Sequence, residues 1–343
     1  MKKIYAISVI LFVVISLLAV PGCKKSPAAG KDLALLKLVP MDAQGIVYAN
    51  IKQALTLDLF KKQVETLKKE TAKPGEKKAF ENYEDFVAKT GIDPEKDIHS
   101  AVLAILNGNL KELSAGSSAD ILLILDLNYD RAKILGMLKE QASRDNLNRS
   151  EETYKGAPIL NVQEKNGQEF SLAFLNDKTI SFGKPAAVKQ AIDLSQGKGA
   201  GFIDNAKMKP YFETVKPGVI LSFAFALPNE VKKVHDMGMM QIDLTKAEIV
   251  FGFLEHIKNT WTGDLELISH NETANAQLVS TLNIALGALG MSSPEAGELV
   301  KNIAIGSTAD AIKIKFSISE ELARKLQEKT AGQKPVATPP TTE

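Results

Sequence analysis

The sequence predicts an α+β protein made of two similar units, each an antiparallel sheet with helices packed on one side. Apolar residues make up 45% of the 343-residue chain and charged residues 24%, which is enough to build a substantial core. Tight hairpin turns and a half-exposed alternating strand indicate antiparallel pairing. The order of strand and helix patterns in the first half also returns in the second half, which suggests a duplication.

The chain opens with a segment typical of a secretory signal peptide. Lys2 and Lys3 precede an uncharged apolar run over residues 4–20. An uncleaved membrane anchor is the alternative, because the run is close to the minimum length of a membrane span. We therefore predict a signal peptide over residues 1–22.

The end of this segment, Val20-Pro21-Gly22-Cys23, resembles the lipobox of bacterial lipoproteins. The resemblance implies that Cys23, which is the only cysteine of the chain, carries the lipid anchor. Lys24 differs from the Asp that resembles an inner-membrane retention signal, so we expect the periplasmic side of the outer membrane. Residues 23–33 would then be the lipidated cysteine and a polar tether.

The first unit is predicted over residues 34–203. Asp130 is typical of a helix N-cap, Gly91 of a helix end, and Pro185 of a first helical turn. Asn166-Gly167 is a strong hairpin signal. Strands are predicted over 45–51, 98–106, 120–127, 159–164, 168–175 and 178–183, and helices over 52–70, 80–89, 130–143 and 185–194.

The second unit is predicted over residues 204–329, followed by a disordered Pro/Thr-rich tail over 330–343. Alternating Ile and polar residues over 312–319 predict a half-exposed strand, and Ser319 an N-cap. A gapless offset of 143 residues pairs Leu122 with Leu265 and Leu135 with Leu278. Strands are predicted over 219–226, 256–262 and 264–269, and helices over 229–238, 244–254 and 273–289.

Two short motifs in the first predicted unit resemble those of an uncharacterised family of bacterial lipoproteins. One is Pro40-Met41-Asp42-Ala43 before the strand Gly45-Ile46-Val47-Tyr48, and the other is Thr90-Gly91-Ile92-Asp93-Pro94. The resemblance implies a duplicated α+β fold with antiparallel sheets. It implies no known chemistry.

Charge excludes one class of function. Lys and Arg together number 42 and Asp and Glu 41, whereas a nucleic-acid binder carries a clear basic excess. The four histidines show no metal-binding spacing, and no nucleophile-elbow motif occurs. We therefore expect no cofactor and lean towards a protein that is not an enzyme.

One cluster of soft ligands stands out as a candidate copper site. His235, Met237, Met239 and Met240 lie within six residues, and imidazole and thioether groups suit Cu(I). A methionine-rich loop that fills space between helices is the favoured alternative.

Three hypotheses of function follow. The first is a membrane-anchored, extracytoplasmic, non-enzymatic module that binds or scaffolds an envelope protein. The second is a carrier of an apolar ligand held between sheet and helices, suggested by apolar runs such as residues 121–125 and 219–227. The third is a hydrolase whose site residues are scattered along the sequence.

Overall fold

In the part of the chain that the computed structural model describes, fourteen strands form most of the framework. The structure describes residues 32–69, 82–107, 120–164, 167–212, 218–229, 232, 234–237 and 240–332. The strands are β1 Gly45–Ala49, β2 Ile98–Asn107, β3 Asp120–Leu127, β4 Asn148–Tyr154, β5 Ala157–Gln163, β6 Glu169–Asn176, β7 Thr179–Gly183, β8 Leu221–Ala226, β9 Val234–Met237, β10 Met240–Asp243, β11 Ile249–Ile257, β12 Thr260–Ile268, β13 Ile303–Ser307 and β14 Ala311–Ser319.

Helices connect these strands, and their ends follow local chemistry. Asp130 accepts hydrogen bonds from the backbone N–H groups of Ala132 and Lys133, and Gly91 ends a helix with φ at 69°. The helices are α1 Ile51–Ala54, α2 Asp58–Lys69, α3 Tyr83–Thr90, α4 Pro94–Asp97, α5 Arg131–Arg144, α6 Pro185–Ser195, α7 Lys209–Phe212, α8 Glu272–Gly290, α9 Pro294–Lys301 and α10 Glu320–Gly332. Two 3-10 helices cover Asp32–Leu38 and Phe202–Asp204.

Twelve of the strands make one antiparallel sheet, in the order β13-β14-β12-β11-β8-β1-β2-β3-β7-β6-β5-β4. β1 lies near its middle, between β8 and β2. The pairing of β1 with β8 therefore joins the strands of the first half to those of the second. β9 and β10 form a separate hairpin.

The two faces of this sheet carry different cores, because side chains alternate along each strand. On β3, Leu123 and Leu125 pack with Leu138 of α5, and we call this side the α5 face. Leu122 and Ile124 of the same strand pack on the other side with α6, which we call the α6 face. Apolar runs such as 121–125 are thus explained by a strand that is buried on both faces.

The predicted α+β class with antiparallel pairing is confirmed, and the structure merges the two units into one sheet. The unit bounds at 203/204 and the duplication itself stay predictions. Residues 234–237 and 249–254 belong to strands β9 and β11, so the helices predicted over 229–238 and 244–254 are wrong. The apolar run of β11 has no polar alternation that would have revealed a strand, since both its faces contact protein.

Trp261 generates a prediction about stability. The side chain is fully buried on the α5 face of β12, and its indole N–H has no hydrogen-bond partner among the described residues. Trp261→Ala should lower the free energy of unfolding by about 3–5 kcal/mol, because it leaves a large cavity. Trp261→Phe should cost clearly less, since it also removes an unsatisfied donor. Urea denaturation measures both variants, and equal losses would contradict the assignment.

Candidate binding surface

The longest helix among the described residues, α8, has an unusual composition for a helix at the protein surface. It spans 19 residues, and from Thr273 to Pro294 the sequence contains no Asp, Glu, Lys or Arg. Of its residues only Asn275 and Leu278 are buried. From Leu282 to Gly290 the only polar side chain is Asn283. An apolar helical segment normally lies inside a protein, so the exposure of this half of the helix calls for an explanation.

The first half of α8 is fixed by a buried polar residue. The amide nitrogen of Asn275 donates to the carbonyl oxygens of Thr308 and Ala309, at 3.2 and 3.3 Å. The hydroxyl of Ser269 donates to the Asn275 side-chain oxygen at 2.6 Å. Asn271 caps the helix by accepting from the N–H of Ala274. These bonds tie the start of α8 to the connection between β13 and β14.

The second half of α8 is covered on one side by α9. The two helices approach closely at glycines: a Cβ atom added at Gly297 would lie 3.1 Å from the Gly290 carbonyl oxygen. The absence of a side chain therefore permits this contact. Ser293 begins α9 by accepting from the N–H of Ala296.

Large apolar side chains of this region remain exposed. Ile284 is 64% exposed, Leu289 45% and Met291 87%. We call residues 282–293 the apolar arm. Exposed apolar patches on folded proteins commonly mark interaction surfaces. Since a charged residue is absent throughout the arm, a contact there would bury no unpaired charge.

A second feature is a small apolar cavity between α5 and the meander β5–β7. Leu138 and Ala142 of α5 form one wall, and Leu160, Phe170 and Phe182 form the other. The rings of Phe170 and Phe182 stack with centroids 5.5 Å apart. The cavity volume is about 30 Å³, which is room for one or two water molecules. The cavity as it stands is too small for a larger apolar ligand.

The three histidines whose side chains the structure describes, His99, His256 and His270, do not converge. The ring nitrogen Nδ1 of His99 lies 3.6 Å from Asp126, and that of His270 lies 3.0 Å from Asp310. His256 is buried against Trp261, with ring centroids 4.9 Å apart. Within the described part of the chain, no group of three or more His, Cys, Asp or Glu side chains is placed to hold a metal ion.

The predicted copper ligands fall on the β9–β10 hairpin. Met237 pairs directly with Met240, and His235 pairs with Ile242, in the backbone register. Met239 lies outside the described residues, as does the predicted lipid site Cys23. Both sites therefore stay predictions.

A comparison with family models identifies the group of proteins to which the chain is related. The model described as "Protein of unknown function (DUF3352)" matches residues 4–286. The chain belongs to this family. The predicted resemblance to an uncharacterised family is consistent with the assignment. A search of curated proteins finds no significant match to this DUF3352 chain.

Solved structures similar to this DUF3352 protein include three crystal forms of one protein. "Structure of crystal form III of TP0453" matches with 12% identity and a TM-score of 0.46, over 85% of this chain and 97% of the other. Form IV matches with 10% identity and a TM-score of 0.43, over 85% and 95% of the two chains. Form I matches with 12% identity and a TM-score of 0.44, over 88% and 98%.

None of the described helices combines the length and the hydropathy that crossing a membrane requires. The apolar arm itself was missed by the reasoning from sequence. Its signal was the uncharged stretch from Thr273 to Pro294, but the sequence alone does not tell whether such a helix is buried.

His256 generates a prediction about pH. Burial disfavours the charged imidazolium and lowers the pKa of His256 below the usual 6.5. The unfolded chain then binds more protons than the folded one near pH 6, so stability should fall as the pH drops through 6.5 towards the lowered value. The free energy lost by His256→Phe should therefore be larger at pH 7.5 than at pH 5.5.

His270→Asn is the control, because the hydrogen bond to Asp310 raises the pKa of His270. The contribution of His270 is present below pH 6.5 and lost as the pH rises through the raised pKa, which is the opposite sign. Urea denaturation at the two pH values measures both variants. A loss for His256→Phe that is independent of pH would contradict a neutral buried imidazole.

Proposed function

We propose that this DUF3352 protein is a lipid-anchored, extracytoplasmic binding module of the bacterial envelope that contacts a partner protein through the apolar arm. The observation that carries the proposal is the exposure of Ile284, Leu289 and Met291 on an uncharged helix that is fixed at its other end. A contact of this kind needs no catalytic group and no cofactor.

The anchor in this proposal is Cys23. More than one acyl chain on the cysteine gives stable attachment, because each buried methylene contributes about 0.8 kcal/mol. The segment between Cys23 and Asp32 reaches at most about 30 Å even when fully extended. The folded body would therefore work close to the membrane, on the periplasmic side of the outer membrane.

The carrier of an apolar ligand is the second candidate, and it rests on the cavity between α5 and β5–β7. The walls are almost entirely apolar, which suits a hydrocarbon group. The volume of about 30 Å³ disfavours this candidate, because typical ligand pockets measure roughly 300–1,000 Å³.

The anchor is tested by Cys23→Ser in the native host. Because serine cannot carry the thioether lipid, we expect loss of radiolabelled palmitate incorporation and release from the membrane fraction. Lys24→Ala is the control and should keep the label. A Cys23→Ser protein that still sediments with membranes would instead support an uncleaved membrane anchor.

The arm is tested by photo-crosslinking in cells. A benzoylphenylalanine at position 284 or 291 should capture the same partner protein, and one at Glu140, an exposed position of α5, should not. Ile284→Asp with Leu289→Asp should abolish capture from position 291, since charges in the contact would be desolvated. The double variant should change stability by less than about 1 kcal/mol, because both side chains are exposed.

Two results would overturn the role of the arm. One is capture of lipid alone from both arm positions, which would assign the arm to the membrane surface. The other is equal capture from position 140, which would show that proximity and not a specific contact produces the crosslink.

A further inference from the structure

The two outer edges of the long sheet differ in charge. β4 forms one edge and carries Arg149, Glu151 and Glu152. Charged side chains on an edge strand discourage pairing with other strands. β13 forms the other edge, with the uncharged sequence IAIGS over Ile303–Ser307. The β13 edge therefore lacks the charged protection that the β4 edge has.

The register shows which backbone groups of β13 face outward. The N–H of Ser317 donates to the carbonyl oxygen of Asn302, and Ile303 lies opposite Phe316. Hydrogen-bonded and non-hydrogen-bonded pairs alternate in an antiparallel ladder. Positions 302, 304 and 306 therefore bond to β14, whereas Ile303, Ile305 and Ser307 direct their N–H and C=O groups away from the sheet.

Two of the three residues whose backbone groups face away from the sheet, Ile303 and Ile305, have side chains that could pack against an added strand. Ile303 and Ile305 are half-buried and share a face with Phe316 and Ile314 of β14. A strand added beside β13 would cover the remaining exposed part of both isoleucines. Cross-strand pairs of β-branched side chains add to the stability of such a sheet.

We propose that β13 pairs antiparallel with β13 of a second copy of this chain, so that a dimer forms with one continuous sheet. A two-fold axis at Ile305 places this residue opposite its equivalent in the second copy and Ile303 opposite Ser307. All of these are hydrogen-bonded pairs, in which the outward N–H and C=O groups satisfy each other.

Charge favours pairing of β13 with β13 of the second copy over pairing of β13 with β4 of the second copy. Pairing of β13 with β4 of a second copy would place the charged side chains of β4 beside a strand that has no charged side chain to pair with them. Such head-to-tail pairing would also leave free edges and continue without closing. Pairing of β13 with β13 opposes no charges within the paired strands and closes as a dimer.

Ile305→Pro tests the pairing in the full-length lipidated protein. Proline removes the N–H of residue 305, which faces away from β14, so the ladder within one copy keeps its bonds. The dimer loses hydrogen bonds at its centre and should become at least about tenfold weaker. Sedimentation in detergent should show a dimer for the unmodified protein and a monomer for the variant, with Ile305→Val as the dimeric control.

Cysteine crosslinking in membranes provides an independent readout. A cysteine at position 305 should form a disulfide-linked dimer, because directly opposed strand residues have Cα atoms at a distance that a disulfide spans. A cysteine at Ser150 on the β4 edge should not. A monomeric unmodified protein, or a dimer that survives Ile305→Pro and crosslinks at position 150, would overturn the proposal.

Discussion

The pairing of β1 with β8 is the constraint on which the rest of the structure depends. β1 has only five residues, and Gly45 to Ala49 pair with β2 on one side and β8 on the other. No side chain fits at Gly45, because a Cβ atom there would lie 2.0 Å from the ring of Phe225. The glycine thus lets the aromatic ring of one half lie across the backbone of the other. Without this strand pair, the two halves of the sheet would each have an additional apolar edge.

Burial on both faces of the sheet follows from this central position. Tyr48 faces the α6 side and Ala49 the α5 side, and both are almost completely buried. The helices that close the α5 face come from distant parts of the chain, including α1, α5 and α10. The order of β8, β11 and β12 on one side of the centre corresponds to β1, β2 and β3 on the other. A duplication would produce this order.

Local chemistry made much of the first half predictable. The caps at Asp130 and Gly91, Pro185 and the strands of the meander all depend on neighbours in sequence. β4 and β13 were not predicted, because β4 is polar on both faces and only Ile303 and Ile305 of β13 are large and apolar. Residues 234–237 of the separate hairpin were misread as part of a helix over 229–238, because a strand of four residues is too short to show its side-chain period.

The alignment on which the predicted duplication was based shows how a shift of one residue matters in a sheet. Leu122 lies on the α6 face of β3, and Ile268 lies on the same face of β12. Leu265 is an odd number of positions from Ile268, so it lies on the opposite face, with Trp261. A gapless offset of 143 therefore matches residues from different cores, and a true correspondence between the halves requires inserted or deleted residues.

Stability and recognition are carried by different residues of this protein. Trp261 is buried only in the folded state, so its contacts contribute to the free energy of folding. Ile284, Leu289 and Met291 are largely exposed in the folded and the unfolded chain, so they contribute little to it. The arm is held by polar bonds at Asn275, far along the helix from these side chains. The exposed side chains of the apolar arm can therefore gain further free energy from a surface outside the folded chain, and substitutions of them separate binding from folding.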